Sequence, residues 1–144
     1  PAPSSPERES DLDSAEGLAE KGYSWAQFDL AIKYDFGRGV AVDYSKAVSW
    51  YRKAAAQGHA GAQNNLGVKY SLGKGVQKDD AKAVEWYRKA VAQGEPYAQN
   101  NLGLRYEYGI GVPQDRTRAI ELYRKAAAQG HSGGKKNLDR MLGR

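Results

Sequence analysis

The segment AQNNLGVKYSLGKGV, starting at Ala62, returns thirty-six residues later as AQNNLGLRYEYGIGV from Ala98. The same interval upstream reaches AQFDLAIKYDFGRGV at Ala26, a more divergent copy. No other feature restricts the fold as strongly. A unit repeated at a fixed period of roughly 20–50 residues cannot bury its apolar face alone, so copies must stack. Within residues 62–97, apolar or small residues fall at Ala62, Leu66, Gly67 and Tyr70, then at Ala83, Trp86, Tyr87, Ala90 and Val91. Both sets have helical spacing. Between them, Gly73 and Gly75 suit the positive φ that ends a helix, and Asp79 or Asp80 can accept from the free N–H groups that start the next. The second helix closes at Gly94, as its equivalents do at Gly58 and Gly130.

Each unit therefore reads as an antiparallel helix pair, and the chain as an all-α, right-handed α-solenoid. The expected limits are a half repeat over 11–25, repeats over 26–61, 62–97 and 98–133, and a C-terminal cap helix over 134–144, all in one domain. Ala31, Gly67 and Gly103 are expected to face Ala47, Ala83 and Ala119 where the two helices of a pair cross. Trp50, Trp86 and Leu122, followed by Tyr51, Tyr87 and Tyr123, are expected to fill the space between units. Residues 1–20 carry Arg8 against six carboxylates, a net −5 that leaves the remainder at +10 for a chain total of +5. Residues 1–10, rich in Pro, Ser and Glu, read as a disordered acidic leader.

The pattern A-x-x-x-LG-x-x-Y-x-x-G-x-GV, then D-x-x-x-A and WYRKAAAQG, resembles the SEL-1-like repeats, a tetratricopeptide-type (TPR-like) family of helix pairs about 36 residues long. The likeness covers residues 12–142. It departs at Asp29, where later units have Asn65 and Asn101, and at Ala31 in place of glycine. The resemblance implies a bacterial protein–protein interaction scaffold, with a periplasmic or secreted location favoured over a cytoplasmic one.

Catalytic and metal chemistry find no support. The chain has no cysteine, and its two histidines, His59 and His131, occupy equivalent turns two periods apart with no partner cluster. The GRG, GKG and GIG triplets lack the Lys-Ser or Lys-Thr of a phosphate loop. No run reaches the roughly 18 apolar residues that span a bilayer. The expectation is a monomeric non-enzyme without cofactor.

Two steps before and after Leu30, Leu66 and Leu102 lie Phe28 and Ile32, Asn64 and Val68, and Asn100 and Leu104, with Lys136 and Arg140 on the last helix. Two steps turn a helix by about 200°, so these residues leave the core stripe. On the tetratricopeptide analogy, first helices line a concave groove that these residues would floor for a bound peptide; lateral packing between first helices is the alternative. Asn65, Asn101 and Asn137 form a ladder able to hold an extended peptide backbone or to tie neighbouring repeats. Lys136 and Arg140, beside Asn100 and Asn101, suit a partner's acidic side chain or free C-terminus, and equally a solvated cap. The basic YRKA segments leave a second reading, a nucleic-acid or anionic-surface binder on the convex face, with nucleic acid the less expected partner.

Overall fold

The computed structural model describes residues 14–144, so the leader over 1–10 lies outside the described residues. Eight α-helices follow in order: α1 (Ala15–Glu20), α2 (Ser24–Phe36), α3 (Tyr44–Ala56), α4 (Ala60–Leu72), α5 (Asp80–Ala92), α6 (Pro96–Tyr108), α7 (Arg116–Ala128) and α8 (Ser132–Leu142). Each packs on its neighbours in sequence, and α6 also touches α8. The result is an all-α solenoid in which α2/α3, α4/α5 and α6/α7 are the repeated pairs.

Local chemistry sets these limits. Asp43, Asp79 and Asp115 precede α3, α5 and α7, and their carboxylates accept from the N–H of Lys46, Lys82 and Arg118 at 3.0, 3.0 and 3.1 Å. The cap of α5 is therefore Asp79, not Asp80. The first helices are capped differently: His59 Nδ1 accepts from the Ala62 N–H at 3.0 Å, Glu95 from Ala98 at 2.6 Å and His131 Nδ1 from Gly134 at 2.9 Å. This is the role of both histidines. Among the described residues, no group of three or more His, Cys, Asp or Glu could hold a metal ion, and no helix is long and apolar enough to cross a membrane.

The pairs close through their small residues. A Cβ on Gly67 would lie 2.7 Å from the Tyr87 ring and 3.2 Å from the Ala83 carbonyl oxygen; one on Gly103 would lie 2.7 Å from Tyr123. The expected Gly–Ala approach is seen at Gly67 and Ala83, and Tyr87 and Tyr123 cover the glycines of their own pairs instead of filling only the space between pairs. A glutamine at the end of each second helix ties it to the first helix of its own pair and to the glycine turn that enters that pair. Gln57 donates to the Gly22 carbonyl and to Gln27, Gln93 to Gly58 and Gln63, and Gln129 to Gly94 and Gln99, all at 2.8–2.9 Å. The recurrent AQG is thus a fastening of the pair to itself and to the turn before it, as well as a stop.

His59 makes the stack sensitive to acid. Burial, the dominant influence, lowers its pKa below the ordinary 6.5, with Asp29 opposing, and the ring stacks on Phe28 at 4.5 Å. A depressed histidine pKa means the folded state prefers the neutral ring. Its contribution is complete above the ordinary histidine range and is lost as pH falls through that range. Protonation also removes the Nδ1 acceptor that caps α4. His59→Asn, which caps without titrating, is expected to lose less stability than the parent between neutral pH and mildly acid pH. Urea midpoints measured across that interval check this; equal slopes for the two proteins would show that the ring is uncoupled from folding.

Candidate functional site: the groove along the first helices

Cross-bonds show that the first helices stand side by side. Asn101 Nδ2 donates to Asn64 Oδ1 at 3.0 Å and Asn137 Nδ2 to Asn100 Oδ1 at 2.8 Å. In the first unit, the register of Asn64 holds Phe28, which offers no oxygen. Asn65 instead donates to the Tyr51 hydroxyl at 3.3 Å and accepts from Asn64 at 3.2 Å. The amides therefore link neighbouring units, and Asn64 is buried. Phe28 and Ile32 are half-buried and pack against the core, Phe28 beside Tyr51 and His59.

Open space lies farther along the helices. A hollow of about 260 Å³ is lined by Asp35, Phe36, Tyr44, Asn65, Val68, Lys69, Leu72 and Lys74. A second, of about 310 Å³, is lined by Val68, Ser71, Leu72, Tyr87, Asn101, Leu104, Arg105, Tyr108 and Ile110. They share Val68 and Leu72, so they form one groove across α2, α4 and α6. Of the residues expected from sequence, Asn65, Val68, Asn101 and Leu104 meet here. Phe28, Ile32, Asn64 and Asn100 do not line these hollows, and Asn137 is occupied with Asn100. Lys136 and Arg140 border a separate hollow of about 480 Å³ with Ser132, Lys135, Asp139 and Arg144.

Sequence reading missed the apolar rim. Phe36, Leu72 and Tyr108 close their helices at the same register and are 61%, 56% and 59% exposed; Ile110 follows at 41%. Isolated exposed apolar residues are ordinary, but a periodic row beside a groove is not. The recurrence at thirty-six residues was the available signal, hidden because each residue abuts the glycine turn.

Charges beneath the groove are largely paired. Lys69 binds Asp35, with both side chains almost fully buried, and Tyr51 donates to the same carboxylate at 2.8 Å. Burial, with Asp35 adding to it, pushes the Tyr51 hydroxyl above its ordinary range, so it remains a donor. Arg105 binds Asp80 at 2.7 Å. At the C-terminal end, Arg140 grips Glu107 through both Nη atoms at 2.7 Å, and Tyr123 donates to Glu107 at 2.7 Å. Hydrogen bonds from Arg140 hold the Glu107 carboxyl below the usual carboxylate range, outweighing its burial. Arg140 is thus turned onto its own chain, while Lys136 is exposed.

The helix-pair fold is shared with solved proteins. A protective antigen of uropathogenic Escherichia coli displaying an SLR fold is 43% identical over 90% of this chain, with a TM-score of 0.85; the match spans 28% of that antigen. A Sel1 repeat protein from Oxalobacter formigenes is also 43% identical, over 90% of this chain and 98% of its own, with a TM-score of 0.79. Helicobacter pylori cysteine rich protein B shares the fold at 22% identity and a TM-score of 0.68, covering 88% of this chain and 99% of its own. Comparison with curated proteins gives no match. Sel1 repeats generally serve protein–protein interaction, and their solenoid is typically a non-catalytic scaffold. The Sel1 repeat model matches residues 26–59, 60–95 and 96–131, one helix pair each, and with most of its length so matched the chain belongs to the Sel1 repeat family.

Proposed function

We propose that this protein is a monomeric, non-catalytic adaptor that holds an extended peptide or protein segment in a concave groove along α2, α4, α6 and α8. The observation that carries this reading is the continuity of the two hollows through Val68 and Leu72 beneath the exposed row Phe36, Leu72 and Tyr108. Four first helices about 10 Å apart span some 30 Å, room for about nine extended residues. Apolar partner side chains would enter beside Val68 and Leu104. With the asparagines engaged mainly with one another, Asn65 and Asn101 offer their remaining hydrogen-bonding capacity at the groove wall. An acidic side chain or free C-terminus would meet Lys136 at the α8 end and compete with Glu107 for Arg140.

A photo-crosslinking residue placed at Leu72 should capture the native partner, whereas the same residue at Arg124 on the second-helix face should not. Leu72→Asp and Tyr108→Asp are expected to weaken that captured partner at least tenfold, about 1.4 kcal/mol, with little change in melting temperature because both side chains are largely exposed. Capture from Arg124 with Leu72→Asp silent would overturn the groove in favour of the basic face. Lys136→Glu tests the acidic end separately. Arg140→Glu cannot serve as that test, because it sets a second carboxylate against buried Glu107 and lowers stability.

A further inference from the structure

On the side of the stack formed by the second helices and the inter-helix loops, a tyrosine recurs between cations. Arg52 Nη2 donates to the Tyr70 hydroxyl at 2.9 Å, with its guanidinium 5.9 Å from that ring centre, and Lys82 Nζ lies 5.6 Å from it. Arg52, Lys78, Lys82, Asp79 and Tyr70 line a hollow of about 500 Å³. Asp79 already accepts from the Lys82 N–H as the cap of α5. Among the described residues, Arg52, Lys78 and Lys82 have no carboxylate within ion-pair distance. Since Tyr70 Oη accepts from Arg52, its own proton remains for donation.

The arrangement recurs one unit on. Arg88 and Arg118 both donate to the Tyr106 hydroxyl, at 3.2 and 3.3 Å, and Arg118 lies 3.5 Å from Asp115. One unit back, Tyr34 has Lys46 5.3 Å from its ring centre, but the register of Arg52 holds Glu16 and that of Lys78 holds Val42. The repeat thus contains one cationic hollow, a second cluster of two arginines on Tyr106, and one tyrosine, Tyr34, that keeps a lysine but has no arginine. Fold maintenance does not demand this difference, because Tyr34 occupies its place without an arginine.

We propose that the Arg52–Tyr70–Lys78–Lys82 hollow is a binding site for a phosphate monoester group, with a weaker copy at Arg88, Tyr106 and Arg118. Three cations against one carboxylate leave two positive charges, which match a dianion; a phosphate monoester carries about −1.5 to −2 at neutral pH and offers three acceptor oxygens. A guanidinium and two ammonium groups beside a hydroxyl donor suit a tetrahedral oxyanion better than a planar carboxylate. The second copy, with two cations against Asp115, retains one positive charge. Tyrosine also supplies an apolar wall, so an ester substituent has a surface to lie against. This site shares no lining residue with the groove proposed for peptide binding, and its failure leaves that proposal intact.

The test uses the full chain with inorganic phosphate, phenyl phosphate, sulfate and acetate as probes at fixed ionic strength. Amide NMR titration should show phenyl phosphate binding at least as tightly as inorganic phosphate, with shifts centred on residues 75–82 and smaller ones on 111–118. Sulfate should bind at least threefold more weakly and acetate not measurably. Lys78→Gln, at an exposed position, and Arg52→Met should each weaken phenyl phosphate at least fivefold at the first site only. Glu16→Arg should introduce a new set of shifts around residues 39–46. Ultraviolet titration adds a readout that packing alone would not move. Hydrogen bonds from Arg88 hold the Tyr106 hydroxyl below its ordinary pKa, and saturating phenyl phosphate should raise it. Binding of inorganic phosphate alone, equal shifts with acetate, or unchanged affinity in Lys78→Gln and Arg52→Met would overturn the proposal.

Discussion

Lys69→Met is expected to lower the stability of the fold by about 3–5 kcal/mol, whereas Lys69→Met combined with Asp35→Asn should recover most of that loss. The ion pair between these residues has side-chain exposures of 7% and 5%, and it bridges the first helices α2 and α4. Removing the ammonium alone strands a carboxylate away from water, with the Tyr51 hydroxyl as its remaining donor. The double substitution removes both charges, and an asparagine oxygen can still accept from Tyr51. Two buried charges cost much of what their attraction returns, so their joint removal is far less damaging than the loss of one. Urea denaturation of the single and double variants checks this. A single-variant loss below about 1 kcal/mol, or a double variant no more stable than the single, would show that water reaches Asp35.

Gly75→Ala and Gly111→Ala should each cost about 1–3 kcal/mol more than Gly39→Ala, although all three glycines have φ between +76° and +77°. A side chain in this left-handed region costs about 1–2 kcal/mol, which is the whole expected effect at Gly39, where a Cβ meets nothing within 4 Å. A Cβ on Gly75 would lie 2.3 Å from the Tyr44 carbonyl oxygen and 3.0 Å from the Ser45 nitrogen; on Gly111 it would lie 2.6 Å from the Asp80 oxygen. These atoms belong to the first turn of the second helix in the preceding unit, and a backbone carbonyl cannot swing aside as a side chain can. Overpacking therefore adds about 1–3 kcal/mol. Thermal or urea unfolding of the three variants decides it; equal losses would mean that the loops yield and that the second glycine of each GxG serves local conformation alone.

The Gly39 comparison also marks where sequence reading reached its limit. The thirty-six-residue period, the helix pairs, the aspartate caps of the second helices and the glycine stops follow from residues only a few positions apart, because capping and helical periodicity are local. Repetition then implied stacking. The approach of Gly67 to Ala83 was legible for the same reason. Partner identities were not. Asn65 turns to Tyr51 because Phe28 offers no acceptor, Arg140 closes on Glu107, and Gln57, Gln93 and Gln129 fasten each second helix to the first helix of its own pair. Each of these contacts joins residues on different helices, and its geometry depends on the rotation and offset of one helix against the next. Those quantities come from packing all the side chains together. The same cause left Phe36, Leu72 and Tyr108 unread: their helical register is periodic, but their exposure beside Val68 and Leu104 is decided only once adjacent first helices are set at their final spacing.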